Sequence, residues 1–281
     1  QASNLTRAAG GPNHVHWTYG TGALGHSTGG ALVCAGGTSW YFIGADYAFG
    51  KQLAGDTASF VTGAGGKVLG TVFTPFPDTT DFSSFLVQAA ASGAKVIGLA
   101  NSGADTVNCV KQAHEFGLTQ KGAKLAALLM MLPDLHGVGL ETAQGLVLSE
   151  AFYWDMNDAT RAYGKRYGAR MKGWMPSMIQ AGDYAANWHC LKAMAALGLA
   201  KAKASGRATV QQMKAMPTDD TLFGKGTVRP DGRVLHAMYL FEVKAPSESH
   251  YAWDYYKLLR KIDAGQAFRP LDDGHCPLVH A

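Results

Sequence analysis

The chain has 281 residues, of which 47% are hydrophobic and 16% charged, so it is long and apolar enough to fill the cores of two ordinary domains. Its formal net charge is +4, but its 25 lysines and arginines are scattered, whereas a nucleic-acid-binding surface gathers such residues on one face. These values exclude a disordered chain and give no indication of a nucleic-acid partner.

Cysteine and histidine spacing gives no sign of a metal site. The four cysteines form no CxxC pair, and they leave room for one disulfide whose partners the sequence does not identify. Only His14 and His16 lie close together among the ten histidines, and a partly exposed strand face explains them as well as metal binding does. We therefore expect neither a metal nor a cofactor.

Between residues 39 and 150, short apolar runs alternate with helix-like stretches. Glycines such as Gly93 and Gly117 stand at the joints, where helices need a C-cap. This alternation predicts an α/β fold in which a parallel sheet is covered by helices on both faces. The predicted strands are 39–45, 67–73, 95–100, 125–131 and 145–150, and the predicted helices are 50–62, 82–91 and 104–116.

The pattern changes after residue 150. Asn157 or Asp158 can cap a helix that runs to about residue 171, and Ser177, after a proline, opens a longer helix. Nearer the end, a turn at residues 230–232 lies between two apolar runs, which predicts a β-hairpin. The arms of this hairpin are 227–229 and 234–243.

Residues 20–25 match GxGxxG, the glycine fingerprint of a dinucleotide-binding turn, and Asp46 follows at the end of the next predicted strand. Such glycines let the backbone approach a pyrophosphate, and the acid would hold a ribose hydroxyl. However, residues 14–19 alternate polar and apolar side chains, whereas the first strand of a dinucleotide fold is buried on both faces. An NAD(P)-dependent oxidoreductase stays an alternative.

Residues 25–29 match the GxSxG elbow of serine hydrolases, which requires a strand that ends just before the serine. Glycines and Ala23-Leu24 precede Ser27 instead. We expect that Ser27 or Thr28 caps the N-terminus of a helix, and we predict no catalytic residue and no enzymatic activity.

Several stretches, taken in chain order, resemble a known family. The segment Trp40-Tyr-Phe-Ile-Gly-Ala-Asp-Tyr-Ala-Phe-Gly50 is similar to the strand and turn that open the second lobe of leucine/isoleucine/valine-type periplasmic binding proteins of ABC transporters. Residues 81–85, 111–118 and 142–146 agree with the family in the same order. Residues 150–154, 267–270 and 276–278 resemble the branch associated with aromatic and other small organic acids.

The resemblance implies a type I periplasmic-binding fold, in which two lobes each contain a parallel sheet flanked by helices. Residues 1–18 and 151–236 would belong to the first lobe and residues 19–150 and 237–281 to the second, with three crossings between lobes as the hinge. About a third of the family's chain precedes the point where Gln1 falls. The resemblance therefore implies that the first lobe is incomplete here and that any secretion signal has been lost.

The implied function is that of the extracytoplasmic substrate-binding component of an ABC importer in the periplasm, which closes two lobes over a small ligand. Its partners would be a small carboxylate, either an organic acid or an amino acid, and the membrane permease. The resemblance implies a monomer when full length, with no cofactor. A ligand-sensing domain of a receptor on the same fold is a further alternative.

The resemblance also assigns ligand-contacting positions at the carboxyl ends of strands, where open parallel sheets bind ligands. Phe49 falls where the amino-acid binders have a tyrosine, and Tyr47 lies on the same turn. Asn101 and Ser102 fall on the next ligand-contacting turn. The positions near a side-chain pocket of the first lobe are Ile179 and Gln180.

One departure from the family concerns the ligand's charge. Amino-acid binders carry a carboxylate after the strand that corresponds to residues 125–131, because a desolvated ammonium needs a counter-charge. Here residues 128–132 are apolar and the first acid is Asp134. Met130 and Met131 would suit a ring or an alkyl group. We therefore expect a small carboxylate with an aromatic or apolar body ahead of a branched-chain amino acid.

Overall fold

The computed structural model describes residues 6–120 and 122–279. The strands within them are β1 (Ser39–Ala45), β2 (Lys67–Thr74), β3 (Val96–Ala100), β4 (Lys124–Ala127), β5 (Val147–Glu150), β6 (Thr218–Asp220), β7 (Gly224–Val228), β8 (Val234–Leu235), β9 (Met238–Val243) and β10 (Tyr256–Ile262).

The helices of the described residues include a π-helical turn, His26–Gly30, that joins the first two. The α-helices are α1 (Thr21–Gly25), α2 (Ala31–Cys34), α3 (Ala48–Gly63), α4 (Ser83–Ala91), α5 (Ala104–Glu115), α6 (Leu132–Val138), α7 (Leu140–Ala143), α8 (Asp158–Arg170), α9 (Met178–Leu197), α10 (Leu199–Ala204), α11 (Gly206–Ala215) and α12 (Ala264–Ala267). Short 3-10 turns lie at Pro246–Glu248 and Asp272–Gly274.

Seven strands form one sheet in the order β10-β9-β5-β4-β3-β1-β2. Strands β1 to β5 run parallel to one another, whereas β9 is antiparallel to both β5 and β10. A mainly parallel sheet with helices packed against it confirms the predicted α/β class.

Alternate residues of β1 point into two hydrophobic cores, one on each face of this sheet. Trp40 and Phe42 are fully buried in the core that α1, α2 and α3 cover. Tyr41 and Ile43 lie in the opposite core, against α4, α5 and α6. The near-continuous apolar run of β1 is thus explained by burial on both faces, which is typical of a central parallel strand.

The two helix starts read from the sequence are confirmed. The Asn157 side chain, and not that of Asp158, accepts hydrogen bonds from the backbone of Ala159 and Thr160, at 3.0 and 3.1 Å, and begins α8. Ser177 caps α9 in the same way by accepting from the backbone N–H of Ile179 at 3.1 Å.

The predicted strand at 125–131 is wrong in its length. β4 ends at Ala127, and residues 128–131 turn towards α6. The neighbouring strand β3 ends at Ala100, whose partner in the register would be residue 128, so the apolar residues beyond have no strand to pair with. Apolar side chains alone do not extend a strand beyond its hydrogen-bonding partner.

The predicted hairpin is correct only at its turn. β7 pairs with β8 across residues 230–232, but the second arm breaks after Leu235. Residues 238–243 form β9, which leaves the hairpin and pairs with β5 and β10. Two runs that looked like one strand therefore serve two different sheets.

The smaller sheet, of order β6-β7-β8, belongs to a third hydrophobic cluster around Trp17, α9 and α11. The opposite face of α9 carries Tyr184, Trp188 and Leu191, spaced for one side of a helix and 41%, 48% and 58% exposed. Tyr184 contacts Tyr163 and Arg166 of α8, and Trp188 and Leu191 remain largely exposed within the described residues.

A close backbone approach fixes the start of α3 and supplies a stability prediction. A Cβ atom at Gly50 would lie 2.2 Å from the carbonyl oxygen of Ala45 and 3.0 Å from that of Ala100. We expect Gly50→Ala to lower the free energy of unfolding by about 1–3 kcal/mol, because helix and strand must move apart. Chemical denaturation would measure the change.

The matched control is Gly55→Ala in the same helix, where no atom lies within 4 Å of the added Cβ. It should stabilise the protein by about 0.5–1 kcal/mol through helix propensity. Equal effects of the two substitutions would contradict the steric explanation.

Candidate functional site

The carboxyl ends of four parallel strands meet at one edge of the large sheet. In the register, Gly44 of β1 lies beside Ala100 of β3, Leu99 beside Ala127 of β4, and Ala127 beside Leu148 of β5. The segments that follow these strands therefore emerge side by side. We call this row of segments, residues 46–49, 101–102, 128–131 and 151–152, the strand-end edge.

Aromatic side chains occupy the part of the strand-end edge that follows β1. Tyr47 precedes α3, is half-buried, and stacks on Phe76 with ring centroids 4.2 Å apart. The Phe49 ring lies 5.9 Å from that of Tyr47 and is buried. The two residues predicted from this turn thus lie together. Phe76, which the sequence analysis did not indicate, stacks on Tyr47.

Asn101 and Ser102 follow β3 next to this aromatic group. The Asn101 side chain is fully buried, and its Oδ1 accepts a hydrogen bond of 2.7 Å from the Thr106 hydroxyl on α5. Its Nδ2 makes no hydrogen bond of good geometry among the residues that the structure describes, although it interacts with the buried Cys109 thiol. Ser102 is half-buried at the surface of the turn. Asn101 therefore holds the turn, and Ser102 presents a hydroxyl at its surface.

The two methionines after β4 point to different cores. Met131 is half-buried and packs with Tyr47 against the core of α1 to α3. Met130 is 1% exposed and lies in the opposite core with α5 and α6. Only Met131 thus shares a hydrophobic cluster with the aromatic pair.

The start of α9 contacts the strand-end edge after β5. The Met178 sulfur accepts a hydrogen bond of 3.4 Å from the backbone N–H of Ala151. Ile179 is exposed, whereas the Gln180 side chain accepts from the backbone and hydroxyl of Ser177, at 2.9 and 2.7 Å. Gln180 thus completes the helix cap. The two predicted positions, Ile179 and Gln180, lie beside the contact between Met178 and Ala151.

Two carboxyl groups that the sequence interpretation did not assign approach the same edge. Glu150, the last residue of β5, is fully buried, and neither carboxyl oxygen has a hydrogen-bond partner of good geometry in the described part of the chain. Asp134 accepts a hydrogen bond of 3.1 Å from the backbone N–H of Met131. The sequence carried one signal for Glu150, namely an acidic residue at the end of a predicted strand that is otherwise largely apolar.

Burial raises the pKa of Glu150 well above its ordinary value of 4.5, and the neighbouring Asp134 raises it further, while the Met178 amide offsets only part of the rise. Burial also raises the pKa of Tyr19 to about 12, with added effects of Glu150 and Tyr47. Tyr19 therefore lies near both Glu150 and Tyr47. Burial therefore favours the neutral, protonated form of Glu150.

The glycine fingerprint at 20–25 lacks the strand that a dinucleotide site needs. Between residue 6 and α1, the described residues contain only an isolated bridge between His16 and Arg233. Asp46 pairs with Lys51 at 2.6 Å on the surface. Gly25 instead allows a tight helix contact, because a Cβ there would lie 2.9 Å from the Thr57 nitrogen. These glycines serve packing between α1 and α3.

The GxSxG match has no elbow, and the expected helix caps are wrong. Ser27 and Thr28 lie inside the helical segment that runs from α1 to α2, and both are fully buried. The Thr28 hydroxyl donates to the Ser149 hydroxyl at 2.8 Å, which ties this helix to β5. The helix begins earlier than expected because Gly20, not Ser27, is its N-cap.

The other chemical signals of the sequence resolve into structural roles. His14 is exposed and His16 is buried, and no group of three potential metal ligands occurs within the described residues. All four cysteines are free thiols. None of the helices in the described ranges is long and apolar enough to cross a membrane.

A strand-end edge on a mainly parallel α/β sheet is where proteins of this architecture bind small molecules. Comparison with family models matches residues 1–249 to a family described as periplasmic binding protein. The chain therefore belongs to the periplasmic binding proteins, and the resemblance read from the sequence is confirmed. No curated protein matches the sequence.

Solved structures support the same family. A periplasmic binding protein from Burkholderia mallei is 48% identical with a TM-score of 0.90, over 99% of this chain and 72% of that one. A branched-chain amino acid ABC transporter periplasmic ligand-binding protein from Burkholderia xenovorans is 34% identical with a TM-score of 0.86, over 99% of this chain and 73% of that one.

A more distant solute-binding protein of an ABC transporter from R. palustris, in complex with benzoate, is 20% identical with a TM-score of 0.78, over 94% of this chain and 69% of that one. At this identity it shows the fold alone. The family consists of solute-binding proteins of ABC transporters, which are not enzymes.

The raised pKa of Glu150 gives a pH-dependent prediction. The folded protein keeps a proton that the unfolded chain loses above pH ~4.5, so this group makes the free energy of unfolding fall as the pH rises from there. Glu150→Gln removes this fall in the free energy of unfolding, because glutamine does not titrate. We expect the melting temperature of the variant, relative to wild type, to increase between pH 4 and pH 7.

The control is Glu242→Gln on the adjacent strand β9, where the carboxylate is partly exposed and lies 3.8 Å from Lys124. Its melting temperature relative to wild type should not increase over the same pH range. A difference for Glu150→Gln that stays constant with pH would show that the acid is already ionised in the folded protein.

Proposed function

We propose that this protein is the extracytoplasmic, periplasmic substrate-binding component of an ABC importer and that its ligand is a small carboxylate with an aromatic or apolar body. The observation that carries the proposal is the strand-end edge, where Tyr47, Phe49 and Met131 pack in one cluster next to the Asn101-Ser102 turn. Aromatic and thioether side chains would cover a ring, and hydrogen-bond donors would hold the carboxylate.

The chemistry of the turn after β3 supports a carboxylate. Ser102 is half-buried and offers a hydroxyl donor, whereas Asn101 is fully buried and would hold the turn in place through Thr106. A protonated Glu150 at the end of β5 adds an acid that can donate. Hydrogen-bond donors favour an anionic ligand group, because an anion accepts hydrogen bonds from them and a cation does not.

The known structures support an aromatic acid as the first ligand to test. The R. palustris protein of the same fold holds benzoate. The B. xenovorans protein, in contrast, is described as part of a branched-chain amino acid transporter. Both ligand classes therefore enter the experiment, with the aromatic acid as the expected one.

We further propose two lobes that close by a hinge, with residues 1–18 and 151–236 in one and residues 19–150 and 237–281 in the other. The large sheet takes its strands from 39–150 and 238–262, whereas β6, β7 and β8 form a separate sheet. Ile179 and Gln180 would then approach the ligand from the first lobe. The membrane permease would be the partner of the closed form.

The ligand class is tested by calorimetry on the complete gene product. We expect benzoate or p-hydroxybenzoate to bind and leucine to bind at least about tenfold more weakly, because residues 128–132 offer an ammonium no counter-charge. Tight leucine binding with no response to the aromatic acids would overturn the ligand assignment, and it would leave Asp134 or Glu150 as the counter-charge.

The role of the β3 turn is tested by Ser102→Ala. Loss of a hydrogen bond to a charged group costs about 1.5–3 kcal/mol, so the affinity for the aromatic acid should fall about 10- to 100-fold. Ser59→Ala, on the exposed side of α3, is the control and should bind as the wild type does. Equal affinities of wild type and Ser102→Ala would remove this turn from the site.

A further inference from the structure

A small cavity of about 40 Å³ lies away from the strand-end edge, and none of the eight predicted site residues lines it. The turn between β7 and β8, the segment before α1, and the segment after α12 enclose it. Four of its lining residues are arginines, namely Arg7, Arg229, Arg233 and Arg269.

Two of these arginines already have carboxylate partners. Arg229 Nη2 lies 2.6 Å from Asp231 Oδ2, and Arg269 Nη2 lies 2.8 Å from Asp56 Oδ1. Arg269 also contacts the more exposed Asp273 through Nη1 at 3.0 Å. The acids around the cavity are therefore engaged by Arg229 and Arg269.

Arg233 is different, because it is 3% exposed and forms no ion pair within residues 6–120 and 122–279. Its Nη2 donates to the carbonyl oxygen of Trp17 at 2.8 Å and its Nε to that of Val234 at 3.1 Å. Its guanidinium lies 4.3 Å from the centroid of the Phe268 ring. These neutral contacts orient the guanidinium, and the nearby Asp231 carboxylate balances its charge only in part because it is already paired with Arg229.

Two guanidinium N–H groups at this cavity lack acceptors. Neither Arg233 Nη1 nor Arg269 Nε has a hydrogen-bond partner in the described part of the chain, and both atoms are buried. A buried charged donor without an acceptor is costly, and a buried charge without a counter-charge more so. The two residues that carry these donors come from separate segments of the chain, and both line the cavity.

We propose that this cavity binds a single inorganic anion of halide size, held by Arg233 Nη1 and Arg269 Nε. The anion would supply the counter-charge that Arg233 lacks, and it would join the β7–β8 turn to the segment after α12. A volume of about 40 Å³ exceeds the 10–15 Å³ that one water molecule requires, and it suits a halide better than a tetrahedral oxyanion with its own solvation.

The experiment measures the melting temperature in sodium gluconate of fixed ionic strength, with gluconate replaced stepwise by bromide. We expect a saturable rise, because an anion that binds only the folded state stabilises it by mass action. Sulfate in place of bromide should give no saturable rise. A rise of equal size with sulfate, or one that follows ionic strength without saturation, would overturn the proposal.

Two charge-conserving variants locate the effect. Arg233→Lys removes Nη1 and Arg269→Lys removes Nε, and each should weaken the apparent bromide affinity at least about tenfold. Arg161→Lys on the surface of α8 is the control and should respond as the wild type does. Unchanged bromide affinity in both cavity variants would overturn the assignment.

Bromide anomalous diffraction keeps the proposal testable if a variant fails to fold. Wild-type crystals grown in bromide should show an anomalous peak at hydrogen-bond distance from both Arg233 and Arg269. A cavity that holds only water, with no anomalous peak, would contradict the proposal.

Discussion

The shared register of four parallel strands is the constraint on which the rest of the structure depends. Because β1, β3, β4 and β5 end level with one another, the segments after them form one surface. Gly50 keeps α3 against two of these strand ends, where a side chain would meet the carbonyl oxygens of Ala45 and Ala100. The aromatic pair Tyr47 and Phe49 sits on that same helix start, so its position follows from a backbone contact and not from its own packing alone.

Two buried ionisable groups show how the fold handles charge without a protein partner. Glu150 can accept a proton and become neutral, and its raised pKa reflects this solution. Burial and Arg229 lower the pKa of Arg233 to about 9, which still leaves the guanidinium charged at neutral pH. An arginine cannot escape burial by releasing its proton under these conditions, and a bound anion would add to the partial balance that Asp231 gives while paired with Arg229. The same penalty therefore leads to protonation at one site and to ion binding at the other.

The sequence predicted what local pattern controls and failed where distant residues decide. Most of the elements between residues 39 and 197 were predicted correctly from apolar runs and from the helix caps Asn157 and Ser177. Propensity and capping act within a few residues, so the local sequence is enough to show them. The length of β4 was wrong since it depends on where β3 ends, and the second hairpin arm was wrong since β9 pairs with strands far along the chain. Glu150 and the cavity arginines were missed for the same reason: Arg233 and Arg269 meet only after folding.

The two ligand classes make opposite demands on Glu150, which lies at the end of β5 on the strand-end edge. An ammonium group would favour the ionised acid, lower its pKa and release a proton on binding. A carboxylate would favour the protonated acid, raise its pKa further and retain the proton. Within the described residues Glu150 is buried without a cationic partner, which favours the protonated state that a carboxylate ligand requires. An ammonium would first have to reverse the effect of burial, and part of its binding free energy would be consumed in doing so.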